Sequence, residues 1–558
     1  MRHIILSLIL LLLIAPISAQ QWSPEHVDAL TDKECYLAGE RLCVRVDVTM
    51  PDGTASPSRV AYVEIADTRQ LHAQAMVNLT DGQGWAEIAL PATMHSGCYQ
   101  LTAYTRAMRN FGTDTFFTSL IGVINGEQLS RRDDILFLPY SPDSIHGQLS
   151  YDLLTANVYA PGADIILQLP TTSAAGDLAV TVEASPLICN VQNSGMNENE
   201  NVVNPPQANN LSTPSNSQTT LNTQLSTLDS KLSALNYTPE LEGHLVRAVT
   251  SLQLSDNDTL PLIRQSRLAL VGKMASLYDG QRQPDGSFLY YTNGIYGKLP
   301  TLVNAYDYSG RAVPMQLVSP YMQVLPKSLP TLQVYCQEQT LAARASAARR
   351  QAAATRWLGT DSLAHSTGFM SQEPRRFYDL DEYTQMSTIR EVLLEFVKGV
   401  QRRKETGVSM LFTQMEETSQ YSTWPALVLL DGMPVYDIDE ILDYDAHLVK
   451  YVQIYSGRFN FGNSCCQGVI SFITRGGRLS NYKLDSGSHL MSYAFPQDHP
   501  AYQRQIPLEQ GTLLWQPSVR TPQLTFPAPA APGHYLINVQ GRTPEGTPLK
   551  LYTEFDVR

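Results

Sequence analysis

The segment from Trp424 to Arg478, WPALVLLDGMPVYDIDEILDYDAHLVKYVQIYSGRFNFGNSCCQGVISFITRGGR, constrains the fold more tightly than any other part of the chain. An apolar run from Ala426 to Leu430 ends in the tight-turn dipeptide Asp431-Gly432, and Met433 to Tyr436 follows as a second short strand. Asp437 to Tyr444 reads as a short helix. Val449 to Tyr455 alternates as a strand, a glycine-punctuated loop follows, and Gly468 to Thr474 closes the unit as another strand. Upstream, a helix is expected with Ser387 as its cap, Ile389, Val392, Leu393 and Phe396 on one face, and Gly399 near its end. Together these elements predict a small α/β domain.

The residues before Asn125 carry a different rhythm. Strand signals recur at Leu42 to Val48, Val60 to Ile65, Gln74 to Leu79, Trp85 to Leu90, Cys98 to Tyr104 and Phe116 to Ile124. Turns at Pro51-Asp52-Gly53, Asp81-Gly82 and Ser96-Gly97 separate them. Such spacing predicts an antiparallel β-sandwich. The 558 residues, 43% hydrophobic with 28 tyrosines, suit a mostly β chain of several domains. A net charge of −13 argues against a nucleic-acid partner, which needs clustered Lys and Arg.

Both segments carry family resemblances. "LLDGMPV", "VKYVQIYSG" and "GVISFITRGG" resemble the plug domain of TonB-dependent outer-membrane receptors. In those receptors the plug sits in a barrel of about 22 strands, and such a barrel needs several hundred residues. The 80 residues after Arg478 are too few, so the expectation is a plug-like domain without its barrel. "TDKECYLAGERL", "VAYVEIAD", "LTDGQGWAEIALP" and "SGCYQLTAYTRAMRNFGTDTFF" resemble the second macroglobulin-like domain of the alpha-2-macroglobulin superfamily. The "AYTRAMRNFG" version is similar to that of large envelope proteins of Bacteroidetes. "YAPGADIILQLP" repeats the opening of "YLAGERLCVRVDV", and Tyr237 to Gln323 resembles the carboxypeptidase-regulatory-like sandwich.

The expected layout is therefore mostly β and multi-domain: tandem macroglobulin/immunoglobulin-like sandwiches plus a small α/β plug-like domain. Residues 1–19 read as a signal peptide, with Arg2 and His3 before an apolar core that is too short to span a membrane comfortably. A macroglobulin-like sandwich is expected over 20–126 and a second sandwich over 127–189. A polar insert follows over 190–236, ending in a stripe of Leu221, Leu225, Leu228, Leu232 and Leu235. A third sandwich spans 237–328. A linker with an Ala/Arg-rich helix from Thr340 to Trp357 spans 329–375, the plug-like domain 376–480, and a C-terminal β domain 481–558 in which Met491 to Gln510 pairs with the final strands. Seven cysteines show no metal-ligand spacing, and one disulfide is expected at most among Cys35, Cys43 and Cys98.

For chemistry, Cys336-Gln337-Glu338-Gln339 matches the Cys-x-Glu-Gln of thioester members of the macroglobulin superfamily, which would make Cys336 and Gln339 a protease-trapping bond. In that family the motif opens a large helical domain, and here the plug-like segment begins about 40 residues later. No Gly-x-Ser-x-Gly elbow, His-Glu-x-x-His or phosphate loop occurs. The acidic group Asp437, Asp439, Glu440, Asp443 and Asp445 lacks the ligand alternation of a calcium loop and reads as solvated charge. The expectation is a non-enzyme with no cofactor. It would be exported to the periplasm and held peripherally at the outer membrane by a barrel or assembly protein. Contact is expected through Asp431, Gly432, Met433, Pro434 and Val435, and through Arg458, Phe459 and Phe461 in the loop to Gln467. A protease trap and a surface adhesin are the alternatives.

Overall fold

A computed structural model describes residues 24–125, 135–138, 148–149, 153–170, 178–184, 188–190, 237–251, 262–272, 276–309, 311–335, 373–405, 407–415, 418–461, 464–484, 488, 490–497, 512–542 and 548–558. The expected signal peptide, the Asn190 to Thr220 insert, the leucine stripe, the helix expected over Thr340 to Trp357 and the Cys336–Gln339 motif all fall outside these residues. The described chain is mostly β, as the strand spacing predicts. It divides into two compact units. The first comprises 1–239, 323–355 and 499–558, and the second 240–322 and 356–498.

In the first unit, the N-terminal sandwich is built from consecutive chain. One sheet has the order His26–Thr31, Arg41–Thr49, Gln83–Ala89. The other runs Cys35–Leu37, Phe117–Ile124, Gly97–Thr105, Val60–Ala66, Leu71–Asn78. Six of these strands match the expected ones to within a few residues; His26–Thr31 and Cys35–Leu37 were not anticipated. The turn at Asp81-Gly82 has φ of 52° and 75°, the left-handed pair that a type I′ turn requires. Cys35, Cys43 and Cys98 are buried free thiols, so the one disulfide that was possible among them does not form. The reason is register. Cys35 and Cys98 face Gly122 from opposite sides of its strand, two strand spacings or about 9–10 Å apart, beyond disulfide reach.

The second sandwich of this unit departs from the expected layout. Leu178–Ala184 lies between Gly533–Arg542 and Thr512–Val519, and Asp164–Gln168 pairs with Gln523–Pro527. The C-terminal strands therefore close the sandwich that 127–189 begins, rather than forming a domain of their own. Ile165, Leu167, Val180 and Val182 share a core with Phe526, Ile537, Val539 and Phe555. The strand Leu490–Ala494, expected among the C-terminal strands, instead pairs with Lys298–Asp307 in the second unit.

Within the second unit, residues 245–317 form two four-stranded sheets, the second completed by Leu490–Ala494. Residues 376–484 form the α/β domain. Its mixed sheet has the order Arg376–Asp379, Val449–Phe461, Ser464–Thr474, Leu427–Leu430, Met433–Pro434. Helices α1 (Ile389–Glu395) and α2 (Ile438–Leu442) cover one face, where Ile389, Val392, Ile441 and Leu442 pack on Val428, Leu430, Ile470 and Phe472. The cap of α1 is Thr388 rather than Ser387. Its hydroxyl accepts from Glu391 N, and Glu391 reaches back to the Thr388 and Ser387 backbone N–H groups. On the other face, Leu429, Tyr455, Phe459 and Val469 pack against Ala269 and Leu277 of the neighbouring sandwich. Burial on both faces explains why Leu427–Leu430 and Val469–Ile473 are nearly continuous apolar runs.

Candidate functional site

The Asp431-Gly432 turn forms as expected, with φ of 46° and 87°, but its surroundings differ from the expectation of a free contact surface. Asp431 to Val435 are all buried within the second unit. Asp431 is 0% exposed. Its carboxylate accepts from Thr474 N at 2.7 Å, Thr474 Oγ1 at 2.6 Å and Leu479 N at 2.7 Å. Its backbone carbonyl accepts from Gly272 N at 2.9 Å. Three donors on one buried carboxylate fix its position and stitch the turn to the end of the sheet. Asp431 is a structural fastening, and Gly432 to Val435 follow it inward.

The expected loop from Arg458 to Gln467 is likewise revised. Its described residues continue the two long strands as a hairpin, in which Arg458, Phe459, Asn460 and Phe461 pair with Gln467, Cys466, Cys465 and Ser464 after a register shift beyond Tyr455. The shift acts as a bulge that lengthens the ladder past the glycine at 457. Phe459 is buried, edge-on to Tyr455 at 6.5 Å between ring centres. Cys465 and Cys466 are free thiols, and burial pushes the Cys466 thiol up to about 11.

Whereas Phe459 turns inward, Arg458 is exposed on the hairpin surface. Its guanidinium lies 5.8 Å from the ring centre of Trp424, which is 49% exposed. Gln467 fixes the backbone that carries that ring: its side-chain oxygen accepts from Thr423 N, Thr423 Oγ1 and Trp424 N, each at 3.0 Å. The result is a held, outward-facing tryptophan–arginine ledge. The sequence reading contained Arg458 but not Trp424, because cross-strand neighbours are invisible until register is known.

A second concavity lies beside the Asp431 turn. It is a cleft of about 630 Å3, lined by Met433 to Glu440, Gly407 and the strand start Val408-Ser409, Tyr482, Leu484, and Asn304 and Tyr306 of the sandwich in the same unit. The acidic residues expected to be solvated have defined partners here. Asp437 caps α2 by accepting from Asp439 N and Glu440 N. Asp439 accepts from Ser409 Oγ at 2.9 Å and from Arg402 at 2.8 Å, and these bonds hold its carboxyl below the usual range, Ser409 first. Glu440 accepts from Tyr482 at 2.8 Å, while Asp443 pairs with Arg390. The rings of Tyr306 and Tyr436 lie 4.4 Å apart, and Arg267 donates to the Tyr436 hydroxyl at 3.0 Å.

No protein family matches this chain, and no curated protein matches it. Solved structures give distant likenesses. Salmonella alpha-2-macroglobulin reacted with methylamine is 9% identical over 97% of this chain and 24% of its own, with a TM-score of 0.16. The native conformation of Escherichia coli alpha-2-macroglobulin is 8% identical over 97% of this chain and 40% of its own, at 0.22. Fibronectin(III)-like modules of Clostridium thermocellum are 11% identical over 56% of this chain and 96% of theirs, at 0.11. The chain thus spans well under half the length of the macroglobulins it resembles. Its β class rests on its own strand ladders. No described helix is long and apolar enough to cross a membrane.

Proposed function

We propose that the chain is an exported, non-catalytic envelope protein that acts by binding. Its plug-like domain would dock a barrel or assembly protein of the outer membrane. The observation that carries the reading is the Trp424–Arg458 ledge: a large aromatic and a guanidinium, both outward, held in register by Gln467. Tryptophan and arginine are the residues most enriched where binding energy concentrates, and bracing lowers the entropy lost on docking. Asp431 to Val435, buried at the other end of the Leu427–Leu430 strand, fasten the fold and are not part of this surface.

Mild cross-linking of envelopes followed by a gentle-detergent pull-down of the full-length chain tests the reading. A barrel or assembly protein should be recovered with the wild type and lost with the Trp424→Ala/Arg458→Ala double variant. A wild-type monomer in the soluble fraction, with no cross-linked partner, overturns the docking role.

A further inference from the structure

We infer that the cleft beside the Asp431 turn takes a basic side chain, arginine or lysine, presented by an extended polypeptide segment. This deepens the reading that the chain acts by binding, but does not depend on an outer-membrane partner.

The floor supplies the first observation. Asn304 is 3% exposed, its Nδ2 donates to Ser488 Oγ at 2.7 Å, and its Oδ1 has no hydrogen-bond partner. A buried carbonyl oxygen without a donor is costly to the fold. A ligand N–H or O–H reaching the floor would remove that cost.

The lip supplies the second. Asp437, Asp439 and Glu440 line it; Arg402 is bonded to Asp439 and Arg390 lies 3.9 Å from the same carboxylate, which leaves Asp437 and Glu440 as the lip's uncompensated charges. An anionic ligand would meet like charge, so the cleft selects against it. Hydrogen-bond acceptors dominate both levels: carboxylates at the lip and an amide oxygen at the floor. Their complement is a group made only of donors, and the ammonium and guanidinium have that property.

The walls supply the third. Tyr306 and Tyr436 add aromatic surface to the lining, their ring centres 4.4 Å apart. Apolar Met433, Val435 and Leu484 suit the methylene stem that carries such a head group. A cleft of about 630 Å3 exceeds one side chain and leaves room for adjoining backbone, which favours a peptide over a free amine.

Fluorescence anisotropy with the full-length chain tests this, using labelled acetyl-Gly-Gly-Arg-Gly-Gly-amide as the probe. The glutamate version of the peptide, agmatine and a neutral trisaccharide serve as competitors. The arginine peptide should bind and weaken as salt rises, the glutamate peptide should not compete, and agmatine should compete at least tenfold less well. Asn304→Leu should weaken binding at least tenfold. Should Asn304→Leu fail to fold, the lip variant Asp437→Asn/Glu440→Gln keeps the helix cap and the Tyr482 bond while removing two charges, and it should weaken binding by a similar factor.

Agmatine binding as tightly as the peptide overturns the polypeptide part of the assignment. Competition by the trisaccharide alone, or undiminished affinity in a folded lip variant, overturns it altogether. Loss of partner capture with peptide binding intact removes only the docking role.

Discussion

The two sandwiches of the first unit solve the same problem with opposite use of the chain. The N-terminal one closes on itself within residues 26–124, each strand pairing with others drawn from about a hundred residues. In the second, the central strand Leu178–Ala184 has neighbours that arrive only at Thr512 and Gly533. Both bury alternating apolar residues on the inner faces, so folded packing does not distinguish them. What differs is how much chain must be organised before the core exists, and loop-closure entropy makes distant closure slower.

The two sandwiches also meet, and that seam is polar. Asp32, 1% exposed, accepts from Tyr36 at 2.7 Å, Cys43 N at 2.9 Å and Thr512 Oγ1 at 3.0 Å. Arg45 donates to the Pro517 carbonyl at 2.7 Å, Arg542 to Asp28 at 2.9 Å, and Lys550 pairs with Glu34. Polar seams keep domains in register while leaving each core separate.

Truncation before Thr512 breaks the comparison most severely. Hydrogen exchange should show complete loss of protection over 164–184, where every long-range strand partner is removed, while 41–105 stays protected. Equal loss in both would mean that the contiguous sandwich depends on the distant one. A smaller effect is expected at Asp431, the long-range fastening of the second unit. Asp431→Ala strips acceptors from Thr474 N and Leu479 N and should cost about 3–4 kcal/mol in urea unfolding. A change below about 1 kcal/mol would show that water replaces the carboxylate.

The smallest effect concerns a local fastening. Asp307 accepts from Ser309 Oγ, Ser309 N and Arg311 N at 2.6 to 2.9 Å, and these bonds, Ser309 first, hold its carboxyl down to about 2. Because the folded value lies below the unfolded 3.8, its contribution is complete above pH 3.8 and disappears as pH falls through 2. Asp307→Asn should therefore flatten that part of the acid-unfolding curve. An unchanged slope between pH 4 and pH 2 would remove Asp307 from the account.

Legibility followed the same division between near and far. The Asp431-Gly432 turn, α2 and six strands of the N-terminal sandwich could be read because their signals are local: turn chemistry, period and cap. His26–Thr31 and Cys35–Leu37 could not, since short strands beside polar Asp32 and Lys33 give little alternation. Leu178, Val180 and Val182 alternate as a strand should, but nothing in these residues names Trp515 or Ile537 as company. The burial of Asp431 to Val435 was hidden for a related reason. Met433 and Val435 look like an exposed hairpin until Val271 and Leu302, more than a hundred residues earlier, join the same core. Asn304 and Tyr306 entered the cleft from that same distant segment.

The late arrival of Thr512 has a consequence in time. A chain made at roughly 5–20 residues per second reaches Thr512 about 15–65 s after Ala184 emerges. Through that interval Leu178–Ala184 lacks the partners that cover both its edges in the folded protein, and such edges template association with other chains. Synthesis of this protein therefore includes a waiting period, and whatever shelters that strand must hold it until the last strands arrive.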